Sequence, residues 1–320
     1  MSQPKLKTAR RPTMYFIGVT TRQSMIMRVF PRWVRHLGLG PCRIRGIDLA
    51  LHDSPERYRE VVRFIKGDPL SIGALITAHK IDLLRACRDS FDGLDPFAEL
   101  LGEVSCISKD GGKLLGAATD PVSSGLALEG FLPKGHWENT RADAFLMGAG
   151  GSSMALSTYL LARERGVDRP ARIFVSNRSA QRLEEMREVH SNIAAGVPVQ
   201  YVLTPWPEDN DAVLPRLAPG SMVVNGTGLG KDAPGSPLTN AAVFPEGGYA
   251  WDFNYRGDLV FLSQARAQER ARGLHVEDGW RYFVHGWTRG IAVVFHRDIP
   301  AAGPGFDELS RLARVCREKE

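Results

Sequence analysis

Phe145-Leu-Met-Gly-Ala-Gly-Gly-Ser-Ser-Met-Ala-Leu156 decides the fold expected of this chain. An apolar run ends at Met147, a turn follows through Gly148, Ala149, Gly150 and Gly151, and a helix opens on Ser152 and Ser153. A strand that feeds a helix N-terminus through glycines makes a phosphate cradle. Glycine permits the tight turn and a close backbone approach, while the helix's free N–H groups and dipole favour an anion. Glycine turns after strands also occur in proteins that bind no nucleotide, so the flanking sequence carries the decision.

Downstream, residues 172–176 read as a strand, 180–190 as a helix, 199–203 as a strand and 208–214 as a short helix. Strands at 221–224 and 249–252 and a helix at 259–272 complete the series. Together with the strand at 143–147 and the helix at 152–165, this alternation is Rossmann-like. Upstream, a Pro-, Gly- and charge-rich stretch at 132–143 precedes the turn, which puts a domain boundary between about 122 and 135. Before it come a strand (14–20), a helix (25–37) stopped by Gly38 and Gly40, a strand (43–50), and a helix that Ser54 caps and Pro55 starts. A strand at 71–77 and a helix at 79–90 continue the order, which is β-α-β-α-β and predicts a parallel layer. Two apolar runs, 104–108 and 113–118, flank Asp110-Gly-Gly112 as a hairpin, and Asp120-Pro121 opens another helix. At the far end, 276–296 is apolar with helical spacing and 306–317 is an amphipathic helix. The fold class is therefore α/β.

Composition narrows the function. The chain has 320 residues, 43% hydrophobic and 24% charged, which suits a globular protein with ample core. Its net charge of +5 is spread among acidic residues, with no basic stripe carrying interleaved aromatics, so no nucleic-acid partner is expected. A modest positive excess is compatible with a polyanionic cofactor. Cys42, Cys87, Cys106 and Cys316 are widely spaced, with neither metal-ligand spacing nor a disulfide framework. No metal is expected, and a reducing cytoplasm is the natural setting. The N-terminus carries Lys5, Lys7, Arg10 and Arg11 without the apolar core of a secretory signal. No apolar run approaches the ~20 residues of a membrane span.

Three constellations carry chemistry. The strand ending at Val175-Ser176 is followed by Asn177, Arg178, Ser179 and Arg182, where an NAD site would present a carboxylate to the adenosine ribose. A guanidinium there pairs bidentately with phosphate, which suits the 2′-phosphate of NADP. Next, Asn225-Gly226-Thr227-Gly228 ends a strand in small residues and leaves room for a flat ring or a ribose. Finally, Lys80 and Asp120 each follow an apolar strand, and parallel sheets gather ligands at the carboxyl ends of their strands. Opposite charges there can share a proton and relay it to a hydroxyl.

These stretches resemble the shikimate/quinate dehydrogenase family, in order and along nearly the whole chain. Gly148-Ala-Gly-Gly-Ser-Ser is similar to its Gly-Ala-Gly-Gly-Ala loop, and Asn177-Arg178-Ser179 with Arg182 to its Asn-Arg-Thr motif. Asn225-Gly-Thr-Gly-Leu-Gly resembles Asn-Ala-Thr-Pro-Leu-Gly, and Asp252-Phe253-Asn-Tyr255 resembles Asp-x-x-Tyr. Asp278-Gly279 looks like the pair before the family's late helix, with the glycine beside the nicotinamide. The resemblance implies a catalytic domain with a mostly parallel sheet made from both chain ends (1–122 and 273–320) and a Rossmann-like NADP domain between them (123–272). It implies hydride exchange between NADP and a ring alcohol or ketone, with Lys80 as acid/base and Asp120 orienting it. It also implies a small-molecule substrate touched by Ser24, Thr77, Ser105, Tyr255 and Gly286, a homodimer as candidate assembly, and a place in aromatic amino-acid biosynthesis.

The departures lie on the substrate side. Of the family's Ser-x-Ser-Pro only Ser24 remains, with Ile26 in place of the second serine. Its Asn-Val-Thr-x-Pro-x-Lys reads here as Ala74-Leu-Ile76-Thr77-Ala-His79-Lys80, its Ala-Val-Asn as Glu103-Val-Ser105, and its late glutamine as Gly286 beside His285. Arg22, His79, Glu103 and His285 are candidate replacement contacts. A pocket stripped of hydroxyl partners binds hydroxylated rings poorly, so shikimate is expected to be a poor substrate. The alternative function is an NADP(H)-binding sensor with little catalysis; retention of both Lys80 and Asp120 favours the enzyme.

Overall fold

The computed structural model describes residues 6–162, 165–193 and 196–317. Lys5 lies outside them, and the helix expected over 152–165 crosses two positions, 163 and 164, that also do. The chain divides into two compact units, Met1–Thr119 with Val284–Glu320, and Asp120–Phe283.

The first unit contains β1 (Thr13–Gly18), α1 (Ile26–His36), β2 (Arg43–Asp48), α2 (Pro55–Gly67), β3 (Ser71–Ile76) and α3 (Lys80–Cys87). It continues with β4 (Gly93–Leu94), α4 (Pro96–Leu101), β5 (Cys106–Asp110) and β6 (Lys113–Ala117). The second unit contains α5 (Asp120–Glu129), α6 (His136–Thr140), β7 (Ala144–Met147), α7 (Gly151–Leu161), β8 (Ile173–Asn177), α8 (Ala180–Ser191) and β9 (Val199–Leu203). It goes on with α9 (Pro207–Asp211), β10 (Met222–Asn225), β11 (Tyr249–Asp252), α10 (Val260–Arg272) and β12 (His275–Glu277). Helix α11 (Trp280–Phe295) starts in the second unit and ends in the first, where α12 (Gly303–Arg317) follows.

The first sheet runs in the order β2-β1-β3-β5-β6-β4. Strands β1, β2 and β3 are parallel, and the expected hairpin β5–β6 joins β3 antiparallel. Alternation along the strands sends side chains to two different covers. Tyr15, Ile17, Ala74 and Ile76 pack with Tyr58, Val61 and Val62 of α2 and Leu83 and Leu84 of α3. On the other face, the Phe16 ring meets Trp287 edge-on at 5.1 Å, and Trp33 of α1 donates its indole N–H to the Leu309 carbonyl of α12 at 2.8 Å.

The second sheet is wholly parallel among its paired strands, in the order β9-β8-β7-β10-β11-β12. Counted from its own first strand this is 3-2-1-4-5-6, the Rossmann order, with the switch between β7 and β10. Strand β12 is an addition to the expected elements: at three residues it shows no period of two, and it merged with the apolar run of α11. The five-residue α6 likewise forms inside the stretch expected to be linker, entered through Gly135 at φ 77°. Leu146, Val175, Val224 and Trp251 face one core, and Phe145, Phe174, Val223 and Ala250 face another beneath α10. Both faces being covered explains why these strands read as continuous apolar runs.

Candidate functional site

The glycine turn lies at the switch point of the second sheet. Gly148 has φ 95°, and a Cβ there would stand 2.9 Å from the Gly226 carbonyl oxygen and 3.1 Å from Thr227 Cα. A Cβ on Gly226 would meet the Ser153 hydroxyl at 2.2 Å. Bare backbones at both positions therefore let the ends of β7 and β10 come together. Gly150 and Gly151 face open space, since a Cβ on either meets nothing within 4 Å, and they begin the eleven-residue α7. The unpaired N–H groups of its first turn thus stand beside room for an anion. Ala149 is buried behind them and Ser152 is half-buried.

One strand over, β8 ends in Asn177, and Ser179 caps α8 through a hydrogen bond from the Arg182 N–H to its hydroxyl at 3.4 Å. Arg178 and Arg182 are both exposed. Arg182 pairs with Glu185 at 2.8 Å, whereas Arg178 has no ion pair among the described residues. Arg178 is the guanidinium free to take a phosphate.

At the β10 end, Asn225 organises the small-residue loop. Its amide donates to Asp252 Oδ1 at 3.1 Å and to the Leu229 carbonyl at 3.2 Å. Its Oδ1 accepts from the Thr227 N–H at 3.1 Å and the Thr227 hydroxyl at 2.7 Å. Asn254 reinforces this arrangement, donating its amide to Leu229 O at 3.0 Å and its backbone N–H to Asp252 Oδ1 at 2.9 Å. Gly228, at φ 78°, completes the loop. The Asp252 carboxyl is fully buried, and burial pushes its pKa up to about 7 against the pull of the Asn254 and Asn225 hydrogen bonds. The sequence signalled Asp252 only as part of a motif, and Asn254 not at all. A Cβ on Gly279 would lie 2.0 Å from the Phe253 carbonyl oxygen, so this glycine seats the β11 loop by direct backbone contact. Beside it, the Tyr255 ring packs on Trp280 at 5.7 Å and Phe283 at 4.8 Å.

In the first unit, Thr77 directly follows β3 at its carboxyl end, and Ser24 lies in the connection that leaves β1. Thr77 is exposed, its N–H donating to the Ile17 carbonyl at 3.1 Å, and Ser24 is half-buried after a short helical turn. His79 is fully buried and shares a hydrogen bond with Tyr58 at 3.1 Å; burial lowers its pKa. Lys80 opens α3, and its carbonyl accepts from the Val104 N–H at 3.3 Å. Arg22 is exposed, while Glu103 is buried. Gly286 lies on α11 with open space at its Cβ position, next to a buried His285 stacked on Phe306 at 4.2 Å.

Ser105 has a role the sequence did not suggest. Its hydroxyl accepts from the Thr119 N–H at 2.8 Å, lies 3.0 Å from the Thr119 hydroxyl and donates to Ala117 O at 3.2 Å. Asp95, the cap of α4, also accepts from the Ala118 N–H at 3.1 Å. Ser105 and Asp95 thus hold the segment that delivers Asp120, the first residue of α5. Ile26, Ala74 and Ile76 are buried, the latter two inside the core cluster of the first unit.

No protein-family model matches the chain. The shikimate dehydrogenase (NADP(+)) of Rhodopseudomonas palustris strain ATCC BAA-98 / CGA009 is 28% identical over 287 residues, 87% of this chain and 89% of that protein. The shikimate dehydrogenase (NADP(+)) of Thermus thermophilus is 27% identical over 268 residues, 83% of this chain and 85% of that protein. Other curated relatives, at 25–27% identity, carry the same name, shikimate dehydrogenase (NADP(+)). Among solved structures, shikimate 5-dehydrogenase from Thermus thermophilus in complex with NADP(H) and shikimate superposes with a TM-score of 0.68 at 24% identity. It covers 95% of this chain and 99% of its own. Quinate dehydrogenase from Corynebacterium glutamicum in complex with NAD gives a TM-score of 0.72 at 20% identity, over 95% and 99%. At these identities the structural likeness speaks for the fold: two α/β units, one of them Rossmann-like. Among the described residues no cluster of His, Cys, Asp or Glu could hold a metal ion, and no helix is long and apolar enough to cross a membrane.

Proposed function

We propose that this chain is an NADP-dependent oxidoreductase that exchanges a hydride with a secondary alcohol or ketone on a shikimate- or quinate-like ring. The observation that carries the reading is the second unit's switch point. An open glycine turn starts α7 there, the unpaired guanidinium of Arg178 stands at the neighbouring strand end, and the curated relatives are NADP enzymes. These residues fit the cofactor. Gly150, Gly151 and Ser152 would hold its pyrophosphate by backbone N–H groups, and Arg178, flanked by Asn177, Ser179 and Arg182, its 2′-phosphate. The loop Asn225-Gly226-Thr227-Gly228, with Phe253 and Gly279, would seat the remainder. When bound, the nicotinamide supplies the hydride acceptor or donor.

On this reading the second unit holds the cofactor. Lys80 takes the proton from the substrate hydroxyl as the alcohol is oxidised and returns it on reduction, while Asp120 holds that hydroxyl and orients Lys80. Such acid–base help is typically worth ~10²–10⁴ in rate. Ser24, Thr77, Tyr255 and the open position at Gly286 are the remaining substrate contacts. Three observations support a pocket poor in hydroxyl partners. Ala74 and Ile76 pack into the core, Ile26 is buried, and the Ser105 hydroxyl is engaged with Ala117 and Thr119.

Steady-state assays of NADPH formation against shikimate, quinate, other cyclic hydroxy acids and polyols, with Lys80→Ala as control, test the proposal. Turnover of a ring alcohol other than shikimate, lost in Lys80→Ala, is expected. Efficient shikimate oxidation would refute the predicted specificity. Tight NADP binding without turnover of any alcohol would favour the sensing role.

A further inference from the structure

The second sheet lays out its ligand-binding groups in sequence along the carboxyl edge. The pyrophosphate cradle is at β7 and the 2′-phosphate site at β8. The adenine base, carried by the same ribose, comes next, toward β9. Strand β9 pairs Leu203 with Asn177, and the Thr204 N–H donates to the Asn177 carbonyl at 2.9 Å. Two residues later stands Trp206, a residue 70% exposed, with Leu203 beside the same strand end at 51%. Four other tryptophans of the chain are no more than 2% exposed, and among the described residues Trp206 has no ring partner.

Its backbone is held firmly. The Trp206 N–H donates to Asp209 Oδ2 at 3.0 Å, and the Asp209 N–H returns a bond to the Trp206 carbonyl at 3.1 Å. The short helix that follows is pinned to β8. Ser176, immediately before Asn177, donates its hydroxyl to the buried Asn210 Oδ1 at 2.6 Å, and the Asn210 amide donates to the Pro237 carbonyl at 2.9 Å. Trp206 is thus fastened on both sides to the strand end that presents Arg178. A large flat face, open to solvent and rigidly mounted, is what a purine base stacks on.

From this placement we infer that Trp206 is the stacking platform for the adenine ring of the dinucleotide, working beside Arg178, which reads the 2′-phosphate. The inference rests on the cofactor reading above and adds a residue and a division of labour to it. Stacking is blind to the phosphate, so the two residues have separable signatures.

Calorimetric titration of the full chain with NADP+, NAD+ and adenosine 2′,5′-bisphosphate tests it. Trp206→Ala should weaken all three by a common factor of roughly ten, the scale of one base–aromatic stack. Trp206→Phe, which keeps an aromatic face, should recover most of that loss. Arg178→Ala should weaken NADP+ and the bisphosphate far more than NAD+. Adenosine 2′,5′-bisphosphate should also quench a component of the indole fluorescence that Trp206→Phe lacks. Unchanged affinities in Trp206→Ala, with wild type binding normally, would overturn the inference and leave the cofactor reading standing. A loss confined to the two 2′-phosphorylated ligands would overturn it as well. Wild-type protein that binds none of the three would overturn the cofactor reading and the inference together.

Discussion

His190 and Asp252 are both buried in the second unit and titrate in opposing senses over nearly the same pH range. His190 links three elements of that unit. Its Nε2 lies 2.8 Å from the Ser157 hydroxyl of α7, and its Nδ1 lies 2.8 Å from the Tyr201 hydroxyl of β9. Ser157 donates its own proton to the Met154 carbonyl at 3.0 Å, so it accepts from Nε2–H. Burial pushes the Tyr201 phenol up to about 12, so Tyr201 keeps its proton and donates it to Nδ1. Both ring nitrogens are satisfied by the neutral Nε2–H tautomer, and burial lowers the imidazole pKa from 6.5 to about 4. The unfolded chain takes up a proton at 6.5 that the folded one refuses. His190's contribution is therefore complete above pH 6.5 and is lost as pH falls toward 4, by about 3 kcal/mol at ~1.4 kcal/mol per unit.

Asp252 runs the other way. Its folded pKa is raised from 3.8 to about 7, so its contribution is complete below pH 4 and is lost as pH rises through 7, by about 4 kcal/mol on the same scale. The two nearly cancel in the wild type between pH 4 and 7. Urea unfolding across pH 4–8 should separate them. His190→Gln should leave Asp252 unopposed, so its stability declines as pH rises. Asp252→Asn should decline as pH falls below 6.5. Other titrating groups contribute equally to all three proteins, so the differences from wild type isolate each residue. Imidazole NMR should report the Nε2–H tautomer persisting to about pH 4. Curves for both variants that run parallel to wild type would refute the assignment of these two pKa values.

Arg178→Ala should reduce the preference for NADP+ over NAD+ by about ten- to a hundred-fold, the range of a charge-assisted hydrogen bond of ~1.5–3 kcal/mol, as measured by the ratio of kcat/KM values. Arg182→Ala should do less, because its guanidinium already pairs with Glu185 at 2.8 Å. Gly279→Ala would force a Cβ to 2.0 Å from a backbone oxygen, and thermal unfolding should reveal a loss of roughly 1–3 kcal/mol. Asp95→Ala removes a helix cap bonded to the Ala98 N–H at 2.7 Å and the Ala118 N–H at 3.1 Å. It should cost about 1–2 kcal/mol and lower kcat more than it raises KM, because it loosens the approach to Asp120.

Most of the fold was legible because its signals are local. Apolar strands covered on both faces read as unbroken runs, Ser54-Pro55 announced α2, and glycines marked the turn after β7. What went unseen was either too short to carry a period, such as β12 and α6, or depended on a partner distant in the chain. Ser105 could be matched to a family position, but nothing in its neighbours foretold that Thr119 would engage its hydroxyl. Asn254 carried no signal at all, since its role comes from Leu229 and Asp252 meeting at one strand edge.

By itself the sequence determined the α/β class, the Rossmann-like unit and the chemistry suited to a 2′-phosphate. Each follows from residue type at short spacing, where chain geometry leaves few alternatives. Only the tertiary structure decided that Arg178 rather than Arg182 is unpaired, that Gly148, Gly226 and Gly279 are required by neighbouring backbones, and that His190 and Asp252 are buried as titrating groups. Exposure, close approach and pKa depend on atoms brought together from distant parts of the chain, and no local pattern encodes them.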